Sequence, residues 1–191
     1  MPDIAILFLI VALAVVVWVI ATYNTLVRLR QHCRESWASI DTELQRRYDL
    51  IPNLVSTVKG YAAHEQATLE AVVEARNRAA ASKGSPESQA ADENKLVGTL
   101  KQLLVVVEQY PDLKASDNFL ALQRELANTE DRIQAARRFY NANVRDINTR
   151  IEVVPSNVIA QTFKFEHHEF FQIDAACVRA APLVDLSGDG P

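Results

Sequence analysis

The chain has 191 residues, with 24 acidic against 20 basic side chains and a net charge of -4. That balance argues against a generic nucleic-acid binder, which needs a basic surface to displace counterions. Two cysteines, Cys33 and Cys177, lie too far apart for metal or redox spacing, so they read as a buried thiol and an incidental one rather than a disulfide or zinc site.

The first element runs from Ile4 to Ala21, where no charged or polar side chain occurs. As an α-helix it is about 27 Å long, close to the ~30 Å hydrocarbon core of a bilayer. Ile4, Phe8, Val11, Val15, Trp18 and Ala21 mark its course, and residues 1–22 form the expected membrane anchor. Its flanks do not suit a cleaved signal, because no basic region precedes the run and Ala21-Thr22-Tyr23-Asn24 is a poor cleavage site. Arg28, Arg30 and Arg34 follow it and no Lys or Arg precedes it, which predicts the N-terminus outside and the rest of the chain in the cytoplasm. Trp18 and Tyr23 suit interfacial anchors, or simply helix packing.

Leu26, Leu29, Cys33, Trp37, Ile40 and Leu44 recur at spacings of three and four, so the membrane helix continues as a stalk. An inter-helix turn is expected at Arg46, Arg47, Tyr48, Asp49, Pro52 and Asn53, because proline inside a helix loses a hydrogen bond and clashes one turn back. Tyr48, Ile51, Val55 and Val58 nevertheless keep the spacing in phase, which leaves a kinked continuous helix as the alternative. A second helix is expected from Leu50 to Ala81. Glu65 falls on its apolar stripe, either as a buried carboxylate or, after a slight rotation, facing solvent. His64 beside it does not share its helix face.

Lys83-Gly84-Ser85-Pro86-Glu87-Ser88-Gln89 marks a loop. A third helix follows from about Ala90 to Gln109 on Leu96, Leu100, Leu103, Val107 and Tyr110, and Pro111 ends it. Ser116, Asp117 or Asn118 then caps the longest periodic stretch, which carries Phe119, Leu122, Leu126, Thr129, Ile133, Ala136, Tyr140, Val144, Ile147, Ile151 and Val154 before Pro155 ends it. The fold class expected is all-α, an N-terminal transmembrane helix continuing into an up-and-down antiparallel four-helix bundle over 23–158. An aromatic-rich tail over 159–191 completes the chain.

A helical bundle invites a di-iron site, but no Glu-x-x-His pair occurs. Glu166, His167, His168 and Glu169 are the only dense ligand candidates, and hydrogen-bonded or solvated side chains are their plainer reading. No phosphate-binding glycine loop or nucleophile elbow is present. The expectation is therefore no catalytic residue, no cofactor and no metal. Arg46, Arg47 and Asp49 beside Tyr48 read as groups that pair across the turn, and Glu125, Glu130, Arg132 and Arg137 are spaced for surface ion pairs along the last helix. Each set reads as a solvated face, with a partner-binding patch as the alternative. Tyr140, Asn141, Asn143 and Asn148 read as interhelical or intersubunit hydrogen-bonding groups, or as solvent-exposed ones, asparagine being a poor helix former.

The run Arg46-Arg47-Tyr48-Asp49-Leu50-Ile51-Pro52-Asn53-Leu54-Val55 is joined by Lys59-Gly60-Tyr61-Ala62, Tyr110-Pro111-Asp112-Leu113-Lys114-Ala115 and Ala136-Arg137 with Tyr140-Asn141. Over about residues 4 to 155 this pattern resembles the LemA family of bacterial membrane proteins. The resemblance implies an N-terminal anchor, a cytoplasmic helical bundle and a bacterial inner membrane, and it carries no enzymatic chemistry across. Thr42-Glu43, Asp131 and Val154 before Pro155 depart from the family pattern without affecting the fold. The expected function is a non-enzymatic scaffold or adaptor on the lipid bilayer, as a homo-oligomer or with a membrane-protein partner. Metal binding through the tail histidines, and an adaptor role in membrane-protein quality control or membrane shaping, are the alternatives.

Overall fold

The computed structural model describes residues 2–173. Cys177 and the rest of the expected tail beyond 173 lie outside the described residues. The protein is all-α, a long N-terminal apolar helix packing against further helices, and no strand occurs among the described residues. The elements are α1 (Pro2–Tyr61), α2 (Gln66–Ala81), α3 (Pro86–Val107), α4 (Pro111–Lys114), α5 (Asp117–Glu152) and α6 (Ser156–Thr162).

The expected turn at Arg46, Arg47, Tyr48, Asp49, Pro52 and Asn53 is corrected: all six lie inside α1, which runs unbroken to Tyr61. Proline at 52 cannot donate to the carbonyl of Tyr48 one turn earlier, and an interior proline costs a helix ~3 kcal/mol or more. Here the orphaned Tyr48 carbonyl accepts a hydrogen bond from Arg76 Nε of α2 at 3.1 Å. The pyrrolidine ring itself is exposed, while Tyr48, Ile51, Leu54 and Val58 stay buried in phase on either side of it. Packing and one charged donor thus override the breaker. The chain turns at Ala62–Glu65 instead, just past Gly60, where Ala62 N–H still donates to Val58 O at 2.9 Å and Glu65 O accepts the first bond of α2 from Leu69 N–H.

Two compact units form, one from residues 2–44, 84–90 and 133–172, the other from 45–83, 91–132 and 173. In the first, Leu26, Cys33 and Ile40 of α1 are buried with Tyr140, Val144, Ile147 and Ile151 of α5, and Phe171 closes the core. In the second, Ile51, Leu54 and Val58 are buried with Val72 of α2, Leu96, Leu103 and Val107 of α3, Leu113 of α4 and Phe119 of α5. The three-four spacing read along α3 and α5 therefore identifies their buried faces. Leu122 and Ala136 of α5 are only half-buried on that face, and Val154, just beyond the end of α5, is 75% exposed.

The repaired proline yields a coupling prediction. Arg76→Ala should destabilise the protein by about 1–2 kcal/mol, the range for an unsatisfied carbonyl. Pro52→Ala restores the Tyr48 partner, so Arg76→Ala should cost measurably less in that background. Denaturant unfolding of the detergent-solubilised chain, run as a double-mutant cycle, measures the difference.

Candidate functional site

Two polar constructions stand out, one in each unit. In the second unit Arg47 is 2% exposed, and its guanidinium meets two carboxylates that are buried as well. Arg47 Nη1 donates to Glu130 Oε2 at 3.0 Å, and Arg47 Nη2 donates to Glu93 Oε2. Tyr48 Oη donates to the other oxygen of Glu93. Arg47 Nε has no hydrogen-bond partner and lies beside a cavity of about 20 Å³ lined by Leu54, Leu100, Leu104 and Leu126, room for about one water. Arg46 makes only an exposed bridge to Glu125 at 3.0 Å, of the kind that contributes little. The reading of Arg47 and Glu130 as surface groups is thus corrected, whereas it holds for Arg46 and Glu125.

Glu93 escaped the sequence reading. It sits three residues before Leu96 on the stripe that continues through Leu100, Leu103 and Val107, and a carboxylate in phase with a buried stripe is the signal that would have found it. The same signal at Glu65 leads elsewhere. Glu65 is half-buried at the turn before α2, where its Oε1 accepts a hydrogen bond from Tyr110 Oη at 3.1 Å, and His64 is exposed beside it.

In the first unit the asparagines of α5 clamp the segment after α6. Asn148 Nδ2 donates to His168 O and its Oδ1 accepts from His168 N–H, both at 2.9 Å. Asn141 repeats the pattern on Phe171, donating to its carbonyl at 3.0 Å and accepting from its N–H at 2.9 Å. The geometry follows from two pitches. Seven helical residues from Asn141 to Asn148 rise about 10 Å, and three extended residues from His168 to Phe171 also span about 10 Å. Side-chain amides stand in for a neighbouring strand, and the segment runs antiparallel to α5. Tyr140 Oη donates to Glu169 O at 2.9 Å, Glu87 N–H at the start of α3 donates to Glu169 Oε2 at 3.3 Å, and the Trp37 ring stands edge-on to Phe171 at 5.1 Å and Tyr140 at 5.2 Å. Asn143 faces α1, donating to Ser36 Oγ at 3.1 Å and His32 O at 3.3 Å. All four residues of the polar cluster in α5 are therefore interhelical or segment-binding groups.

An open groove of about 270 Å³ borders this clamp, lined by Cys33, Arg34, Trp37, Gln89, Tyr140 and His168 among others. It is slightly below the ~300–1,000 Å³ usual for small-molecule sites. Burial, with Asp146 nearby, pushes the Cys33 thiol up to about 11, and burial pushes Tyr140 up to about 12. His168 is lowered by burial and by Arg30 and Arg34. All three groups are neutral at physiological pH. The expected tail ligands do not converge: His167 Nδ1 pairs with Glu152 at 3.7 Å, and among the described residues no three His, Cys, Asp or Glu side chains gather as a metal set. Two arginines beside His168 also oppose a cation there.

The apolar run of α1 is the one helix, among the described residues, long and apolar enough to cross a membrane, and from Ile4 to Trp18 its side chains are exposed. The molecule is thus a helical protein with one candidate N-terminal membrane span and with Arg47, Glu93 and Glu130 buried against one another. The chain belongs to the LemA family, whose pattern it matches over residues 36–186. It is similar to magnetosome proteins MamQ 1 and MamQ 2 of Paramagnetospirillum magneticum, 29% identical to each over 175 residues covering 78% of this chain. It spans only 64% of the length of those relatives. Protein LemA of Metamycoplasma hominis is 28% identical over 171 residues, 87% of this chain and 77% of that protein.

Two predictions follow from the geometry. Arg47→Met leaves Glu93 and Glu130 buried without their shared cation and should destabilise the fold by about 3–5 kcal/mol, measured by denaturant unfolding. His168 binds its proton less readily in the folded chain than at its ordinary value of 6.5, so its contribution is complete above that value and declines as pH falls through it. Protection of the His168 and Phe171 amides in hydrogen exchange should therefore fall as pH drops below the ordinary histidine value, and His168→Gln should flatten that part of the profile.

Proposed function

We propose that the protein is a non-enzymatic scaffold, tethered by the apolar run of α1 and presenting its helical surfaces to copies of itself or to another membrane protein. The observation that carries this reading is the fate of the buried charged groups. Arg47, Glu93 and Glu130 are consumed in one another around a cavity too small for a substrate, and Cys33, Tyr140 and His168 are held neutral beside the groove. A protonated, buried thiol is a poor nucleophile. Exposed Phe139 at 62% and Phe170 at 40% offer apolar surface for association. Confinement to a membrane raises effective concentration, which favours weak self-contacts.

The anchor lies in a bacterial cytoplasmic membrane, with the bundle on the cytoplasmic side. Arg28, Arg30 and Arg34 just beyond the apolar run support that orientation. One experiment tests both parts. In intact cells a membrane-permeant crosslinker should trap oligomers or a defined partner of the full chain, while its impermeant analogue should not. A strictly monomeric chain under the permeant reagent overturns the scaffold, and efficient trapping by the impermeant one overturns the orientation.

A further inference from the structure

Contacts within the first unit fix the register of α5 against α1. Trp37 meets Tyr140 at 5.2 Å between ring centroids, and Asn143 reaches Ser36 and His32, nearer the apolar run. The two helices are therefore antiparallel here, each residue gained along α5 matching about one lost along α1. Carried to the end of α5, this register brings Val153 and Val154 level with about Tyr23 and Asn24, roughly 5 Å past Ala21. The following segment obeys the same register: the Phe163 ring lies 4.8 Å from Tyr23, and Phe165 5.9 Å from it.

Four apolar side chains at this corner face outward. Val153 is 47% exposed, Val154 75%, Val158 58% and Phe163 51%. The stripe that buries Val144, Ile147 and Ile151 predicts an inward Val154, and the chain turns it out instead. Short α6 buries Ile159 and Ala160 and leaves Val158 outside. Arg28 and Lys164 are exposed near the same level, as are Glu152 and Glu166, so apolar surface rather than net charge distinguishes the corner.

We propose that this corner is a second membrane contact, in which Val153, Val154, Val158 and Phe163 enter the boundary between headgroups and acyl chains of the leaflet that α1 leaves. Lipid is the occupant because the patch is continuous with the end of the apolar run: Phe163 touches Tyr23, two residues beyond Ala21. Apolar and aromatic side chains at that depth exchange water for lipid without unsatisfied backbone groups. A helix held by its span alone is free to tilt, and a second contact beside it restricts that tilt. The inference rests on the reading of Ile4 to Ala21 as a bilayer span.

Nitroxide labels report depth directly. The full chain carrying Cys177→Ser, with Cys33 left buried and unlabelled, is reconstituted into phosphatidylcholine–phosphatidylglycerol vesicles. Single cysteines are placed in turn at Val11, Val154, Val158 and exposed Arg138. The ratio of collisions with oxygen to collisions with a water-soluble nickel chelate should be highest at 11, and several-fold higher at 154 and 158 than at 138. If 154 and 158 match 138 while 11 stays oxygen-rich, the span stands and the second contact is overturned. A nickel-rich label at 11 overturns both. Spin–spin broadening at 158 with neither reagent reaching it shows a second copy on the patch and overturns lipid as its occupant. Agreement between 154 and 158 guards against a local distortion at either one.

Discussion

A buried guanidinium between two buried carboxylates sets the register of the second unit. Apolar stripes spaced by three and four residues tolerate a slide of one heptad, because one leucine replaces another. Arg47 on α1, Glu93 on α3 and Glu130 on α5 tolerate none. Each is costly to bury alone and becomes tolerable only where all three helices meet at the same level. Tyr48 joins the cluster from the residue next to Arg47 and occupies the remaining Glu93 oxygen. The cluster is therefore better understood as a device that selects one packing than as a large net source of stability.

The same economy of polar groups recurs wherever the backbone departs from helix. Proline at 52 strands the Tyr48 carbonyl, and Arg76 supplies the missing donor from the next helix. The segment after α6 has no strand partner, and Asn141 and Asn148 hydrogen-bond it as one. In each case a side chain replaces a backbone group that the local geometry removes, so a segment with little regular structure is held as firmly as a strand edge. The poor helix propensity of asparagine in α5 is the sequence trace of that substitution.

Periodicity made the helices legible, together with the apolar anchor and the buried faces of α3 and α5. The position of the first turn was not legible from the same signals. Proline is a local breaker, whereas the group that repairs it, Arg76, lies on another helix and carries no mark of its target. The in-phase run of Tyr48, Ile51 and Val58 was the correct clue, and it outweighed the proline because buried area accumulates over several turns. The ion cluster was half visible. Arg47 and Glu130 attracted notice as charges but were assigned to solvent, since pairing across three helices has no sequence spacing to read. The asparagine clamp was visible as an anomaly in α5, and its ligand, an extended backbone, was not.

The groups around the groove of the first unit bear on what such a surface can do. Cys33 and Tyr140 retain their protons because burial and neighbouring acids disfavour their anions, and His168 sheds its proton because burial and two arginines disfavour its cation. A thiol, a phenol and an imidazole side by side would ordinarily suggest chemistry. Here burial keeps the thiol and the phenol protonated, which makes both poor nucleophiles at neutral pH, and leaves the imidazole uncharged. Trp37 packs edge-on against both Tyr140 and Phe171, and Arg34 and Gln89 join Trp37 and Tyr140 in lining the groove. Trp37 thus ties α5 and the segment after α6 to α1, so the side chains that wall the groove also hold these elements in register.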